Sequence, residues 1–136
     1  MKRLMASLIL LSVPATASAA GWTSSESRGV ELHTLTTSEV SVRLICDPHG
    51  SYDENQNYIQ VEARGGPVNG AVTFSAEGKS VDLSFIEGTA FEADTTDSDW
   101  LNVLQILSTD DEFTLTTGKQ GWKVRPGAKL SHGCNS

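Results

Sequence analysis

Cys46 and Cys134 are the two cysteines of this 136-residue chain, and their chemistry frames the reading. An even count in an exported chain favours a disulfide. Closing a loop of about 89 residues would stabilise the fold by about 4.6 kcal/mol in the chain-entropy picture. Each cysteine also has a histidine beside it: Cys46-Asp47-Pro48-His49 is Cys-x2-His, and His132-Gly133-Cys134 is His-x-Cys. With the thiols reduced, that set has the donors that hold zinc tetrahedrally. Both uses of the sulfurs stay open, with the oxidising compartment that export implies favouring the disulfide.

Oxygen donors gather in two further places. Asp47, Asp53, Glu54, Asn55 and Asn57 make one polar loop, and Asp94, Asp97 and Asp99 precede a helical pattern, beyond which come Asp110, Asp111 and Glu112. Calcium needs six to eight such oxygens. Neither stretch follows the Asp-x-Asn/Asp-x-Asn/Asp-Gly order of an EF-hand loop, and carboxylates at a helix start already have a capping role. Asp94, Asp97, Asp99, His49 and His132 are therefore the metal-ligating candidates, while no metal or cofactor is expected. Tyr52 and Tyr58 flank the first loop, and rigid aromatic anchors carry a large share of interface energy. Asp47, His49, Tyr52, Asp53, Glu54 and Tyr58 are the expected binding surface.

Signatures of catalysis are missing from the sequence. It contains no Gly-x-Ser-x-Gly elbow, no phosphate loop ending in Lys-Ser/Thr and no His-Glu-x-x-His. His33 stands in a strand pattern among threonine and glutamate and is expected to face solvent. No catalytic residue is assigned, and the expectation is a protein that is not an enzyme.

These residues need elements to position them. Alternation places Val40, Val42, Leu44 and Cys46 on one strand face, Ile59, Val61 and Ala63 on another, then Val72 with Phe74, and Val81, Leu83 with Phe85. Gly65-Gly66-Pro67 and Asn69-Gly70 predict a hairpin between residues 58–63 and 71–75, and residues 113–115 and 122–124 predict another. Residues 21–29 show no period, although Trp22 could dock on the domain. Trp100, Val103, Leu104 and Leu107 recur at helical spacing, so residues 99–108 predict one short amphipathic helix, with Thr96 and Asp99 at its start. The expected fold is mostly β: a small antiparallel sandwich or barrel of about seven to nine strands. Its expected core is Val40, Val42, Leu44, Ile59, Val61, Val72, Phe74, Leu83, Phe85, Leu104, Phe113 and Leu115.

Residues 1–20 read as a cleavable secretory signal: Lys2 and Arg3, an apolar run around Leu8 to Leu11, Pro14, then small residues ending in Ala19-Ala20. The apolar run falls short of the ~20 residues a bilayer span needs. Residues 21–136 are expected to form one β-rich domain, periplasmic or secreted. Removing Lys2 and Arg3 from 10 basic residues leaves 8 against 17 acidic ones, a formal charge of −9 for that domain. Such a charge disfavours nucleic acid and anionic membrane surfaces, whose recognition begins with Lys/Arg patches. Membrane insertion of the mature chain is not expected, and a basic protein or envelope component suits the charge.

A small, exported, acidic, β-rich chain with one long-range disulfide is similar in general shape to the bacterial periplasmic lysozyme inhibitors. That resemblance implies an inhibitor of a basic envelope-degrading enzyme such as lysozyme. The Ser-Gly-x-x-Tyr motif that several of those inhibitors insert into the lysozyme cleft is absent, since Tyr52 follows Gly50-Ser51 and Tyr58 follows Gln56-Asn57. From its own residues the chain is expected to be a non-catalytic exported protein that binds a protein or envelope component through its loops. The alternative is a metal-binding module, using calcium in the acidic loops or zinc at the Cys/His cluster.

Overall fold

Alternating apolar and polar side chains form strand after strand in the computed structural model, which describes residues 21–134. The secretory signal expected over residues 1–20 lies outside the described residues. One antiparallel sheet runs in the order β1 (Thr23–Ser27), β2 (Val30–Thr36), β3 (Val40–Cys46), β4 (Tyr58–Ala63) and β5 (Gly66–Pro67), with β8 (Thr89–Phe91) also paired to β4. The second sheet runs β10 (Gly121–Val124), β9 (Phe113–Thr116), β6 (Gly70–Ala76), β7 (Lys79–Phe85).

The described residues thus hold ten strands rather than seven to nine. The additional ones leave little trace in composition. Strand β1 is exposed along its whole length and has no apolar period, so an edge strand forms within residues 21–29, where the sequence predicts no element. The others are short: β5 spans two residues and β8 three. Local turn chemistry accounts for β1. Arg28-Gly29 (φ 55° and 80°) joins it to β2 with two successive positive φ angles, the type I′ geometry whose twist matches antiparallel strands. Glu77-Gly78 (52° and 82°) repeats the device between β6 and β7.

The hairpin expected across Gly65 to Gly70 does not form. Strand β4 turns onto β5 alone (Glu62 opposite Pro67, Ala63 opposite Gly66), and β6 belongs to the other sheet. Pro67 has no N–H to extend a ladder, while Val68 is buried and donates its N–H to the Val61 carbonyl at 3.2 Å. The chain therefore crosses between sheets at a point pinned by an apolar side chain. The final hairpin forms as the sequence suggests, with Trp122 opposite Leu115.

Helix α1 spans Asp97–Leu107, starting two residues before the expected 99–108. Thr96 caps it, its Oγ1 accepting the Asp99 N–H at 3.1 Å. Trp100, Val103, Leu104, Ile106 and Leu107 are buried, and the helix packs on β7 and β6. Every residue of the expected core is buried, in one cluster that also takes in Val81, Val124, Leu130 and both cysteines. Trp22 packs against that cluster as a partly buried anchor. No helix among the described residues is long and apolar enough to cross a membrane.

Candidate functional site

Cys46 ends β3 on its inward face, and Cys134, 88 positions further along the chain, reaches it from the tail as a disulfide, with Cα atoms 4.8 Å apart. Both are 1% exposed. The bond carries the tail across the part of the first sheet where the inner face turns from apolar to polar. Along β2 that face presents Leu35, then His33, then Glu31, opposite Val42, Leu44 and Cys46 of β3. From the edge strand β1, Ser24 lies opposite His33 and Glu26 opposite Glu31.

His33 therefore does not face solvent as its strand position suggested. It is buried, with Nδ1 2.7 Å from Ser24 Oγ and Nε2 2.8 Å from Glu31 Oε1. The Gly133 N–H donates to that same Oε1 at 3.0 Å. Burial alone would raise the Glu31 carboxyl, but the His33 and Gly133 hydrogen bonds and the two neighbouring imidazoles hold its pKa below the ordinary glutamate value. His132 is half-buried and accepts the Cys134 N–H at Nδ1 (3.1 Å). Desolvation and the His33 imidazole push its pKa down, against the opposing pull of Glu31. A cavity of about 470 Å³ opens here, lined by Ser24, Glu26, Glu31, His33 and His132 among others.

Sulfur and imidazole do come together, though not in the set the spacing suggested. The Cys46, His132 and Cys134 donor atoms lie within 4.8 Å of one another, as do those of Glu31, His33 and Cys46. His49 belongs to neither group, because it projects, exposed, from the loop that leaves β3. Asp94, Asp97 and Asp99 are outside both groups as well: Asp94 ends a 3-10 turn, and the other two occupy the first turn of α1.

The loop of residues 47–57 is organised by its first member. Asp47 is fully buried, and its carboxylate accepts backbone N–H groups from Ser51 (2.7 Å), Tyr52 (2.8 Å) and Asp53 (3.2 Å). Burial acts to raise this carboxyl, yet those three donors and nearby His49 bring its pKa below the ordinary aspartate value. Asn57 closes the loop. Its Oδ1 accepts the Asp47 N–H at 2.6 Å, and its Nδ2 donates to Glu92 Oε1 and to the Cys134 carbonyl. Asp47 thus holds the loop from inside, leaving His49, Tyr52 and Glu54 exposed and Asp53 and Tyr58 half-buried.

Tyr52, 64% exposed, belongs to a larger surface. On the outer face of the first sheet, Leu32, Ile45, Tyr58 and Phe91 stand opposite one another across β2, β3, β4 and β8. The Tyr58 and Phe91 rings are 5.4 Å apart. The adjacent row is polar, running Thr34, Arg43, Gln60, Thr89. A cavity of about 360 Å³ joins the rows, lined by Leu32, Arg43, Ile45, Tyr52, Tyr58 and Gln60 among others. Burial, then the charges of Asp53 and Asp47 and the Tyr52 hydroxyl, raise the Tyr58 pKa, which marks the acidic loop as its neighbour. Tyr52 and Tyr58 were legible in the sequence; Leu32, Ile45 and Phe91 were not. The available signal was Ile45, apolar beside inward Leu44, which makes the end of β3 apolar on both faces.

The architecture is thus a mostly β protein of two antiparallel sheets with one helix and a long-range disulfide. No match to the chain is found among protein-family models, curated proteins or solved structures.

Proposed function

We propose that this is an exported, non-catalytic binding protein whose recognition surface is the outer face of the first sheet together with the 47–57 loop. The observation that carries the reading is the apolar row Leu32, Ile45, Tyr58 and Phe91, extended by the 64% exposed ring of Tyr52. Leu32 is exposed, Tyr58 and Phe91 are half-buried and Ile45 is buried between them; an apolar row of this kind beside an exposed aromatic has the composition of an interface centre. Asp53 and Glu54 border it, and residues 21–136 carry a formal charge of −9. The partner is accordingly a protein or envelope component with cationic side chains, and nucleic acid is disfavoured.

The test uses lysozyme as a defined basic envelope-degrading enzyme in titration calorimetry, with salt-graded capture from envelope extracts beside it. Wild type, Tyr52→Ala and Leu32→Asp are compared. Binding that weakens with salt and is lost in both variants supports the proposal; binding indifferent to both, or no salt-sensitive binding, refutes it.

A further inference from the structure

The polar corner beneath the C-terminal tail lies on the inner face of the first sheet, away from the recognition surface. Its side chains are costly to gather without a reason. Glu26 and Glu31 stand directly opposite each other across β1 and β2, an arrangement of like charges that destabilises a sheet. Two imidazoles, His33 and His132, join them around one open cavity of about 470 Å³. Carboxylates and imidazoles converging on a cavity form a donor set for a first-row divalent metal.

We propose that Glu31, His33 and His132 form a zinc-type divalent metal site in the oxidised protein, with Glu26 as an additional carboxylate beside it. The Glu31–His33 pair is nearly placed already. Zinc bonds of about 2.0–2.1 Å at a tetrahedral angle set neighbouring donors about 3.3 Å apart. His33 Nε2 and Glu31 Oε1 are 2.8 Å apart, so each moves by a few tenths of an ångström. The metal takes the place of the proton held between them. His33 then carries its proton on Nδ1 and donates it to Ser24 Oγ at 2.7 Å, the outer hydrogen bond that fixes the tautomer of a ligating histidine. His132, whose donors group with Cys46 and Cys134 rather than with the Glu31–His33 pair, has to turn from the Cys134 N–H to bring in a third donor, and water completes the set.

The disulfide is what gives the site its third ligand. Cys46 lies opposite Glu31, and Cys134 is two residues from His132. The sulfurs bonded to each other are not thiolates, so the oxidised site uses nitrogen and oxygen alone. A metal bound there ties β1 and β2 to the tail.

The test is titration of Zn(II) into the oxidised mature chain at neutral pH, followed by Co(II) substitution to read the donor atoms. One ion should bind per chain, releasing protons and weakening as pH falls through the imidazole range. Loss of an outer partner costs about 10–100-fold in affinity; Ser24→Ala should fall in that range, and Glu31→Gln and His132→Ala should lose at least as much. His49→Ala should bind like wild type. His33→Asn removes a buried group, so the exposed-edge Ser24→Ala and half-exposed His132→Ala variants decide the matter if it does not fold. The proposal is overturned by no binding at millimolar zinc or by binding unchanged in Glu31→Gln and His132→Ala. Binding seen only after reduction, or a thiolate-to-cobalt charge-transfer band, overturns it too, since both assign the metal to Cys46 and Cys134.

Discussion

The Gly133 N–H donates to Oε1 of Glu31 at 3.0 Å across 102 positions of sequence, next to the disulfide that joins Cys46 to Cys134. A tail without regular secondary structure is thereby fastened to an early strand by one covalent and one charge-assisted bond. No room is left between them: a Cβ on Gly133 would stand 2.8 Å from Glu31 Oε2.

Reduction of this disulfide, or the Cys46→Ala/Cys134→Ala double variant, should lower stability by up to about 4.6 kcal/mol, the chain-entropy limit for such a loop. Urea unfolding with and without a dithiol reductant measures it. Amide exchange should locate the early loss of protection at Leu130 to Cys134, with the core strands β3 and β6 the last to open.

Asp47 should govern both the stability of its loop and part of the acid response. Asp47→Ala leaves three backbone donors without their acceptor, at a cost of about 1–3 kcal/mol or more because the lost partner is charged. The folded pKa lies below the ordinary aspartate value, so the unfolded chain binds the proton more readily. Stability from this group is complete above the unfolded pKa of about 3.9 and disappears as pH falls through the folded one. An unfolding series from pH 6 to pH 2 should show a shallower decline in Asp47→Asn than in wild type.

His132 should act in the same direction at higher pH. Its folded pKa is depressed by burial and by His33, so between that value and the unfolded value of about 6.5 the unfolded state holds more protons and stability rises with pH. In metal-free buffer, His132→Ala should flatten the stability profile just below pH 6.5 while leaving the lower acid limb in place. NMR titration of the ring protons checks the direction independently, since a midpoint above the ordinary histidine value contradicts it.

Strand alternation made most of the core legible, because a period of two assigns each apolar residue to a face without knowledge of its partners. Val42, Leu44, Ile59, Val61, Val72 and Phe74 were assigned that way, and all are buried. Thr96 likewise announced the start of α1 through a contact three residues long. What escaped depends on tertiary neighbours. His33 reads as a solvent-facing residue until Ser24 arrives from a strand with no apolar signal and the tail arrives with Gly133. The Gly65 to Gly70 stretch has hairpin chemistry, yet Val68 finds more apolar cover by anchoring a crossover. Of the proposed binding surface, the loop carries its own tyrosines, whereas the row through Leu32 and Phe91 exists only once four strands are in register.

Gly88, buried in the turn before β8, should resist replacement. Its φ is +85°, and an added Cβ would come within 2.9 Å of Pro67 Cβ and 3.2 Å of the Val61 carbonyl oxygen. The Gly88 carbonyl also accepts the Val61 N–H at 2.8 Å, which fixes the turn against β4. Strain at a positive φ costs on the order of 1–3 kcal/mol, so Gly88→Ala should lower stability by that order, read as a lower denaturation midpoint with an unchanged m-value. Gly29→Ala, with nothing within 4 Å of its Cβ, isolates the cost of the φ angle from that of the contact and should be the milder of the two.

Tyr52 should separate stability from the proposed recognition. Its ring is 64% exposed, and the backbone N–H by which Asp47 holds it is unaffected by the side chain. Surface substitutions of this kind stay within about 0.5 kcal/mol, so Tyr52→Ala should unfold at nearly the wild-type urea concentration. Truncating an interface anchor costs about 2 kcal/mol or more of binding free energy, which is roughly a thirtyfold loss of affinity for the partner. Phe91→Ala gives the contrast, since its ring packs on Tyr58 at 5.4 Å and its loss should disturb both the fold and the row. If Tyr52→Ala loses stability by more than about 1 kcal/mol, the ring supports the loop, and recognition falls to Leu32 and Tyr58 instead.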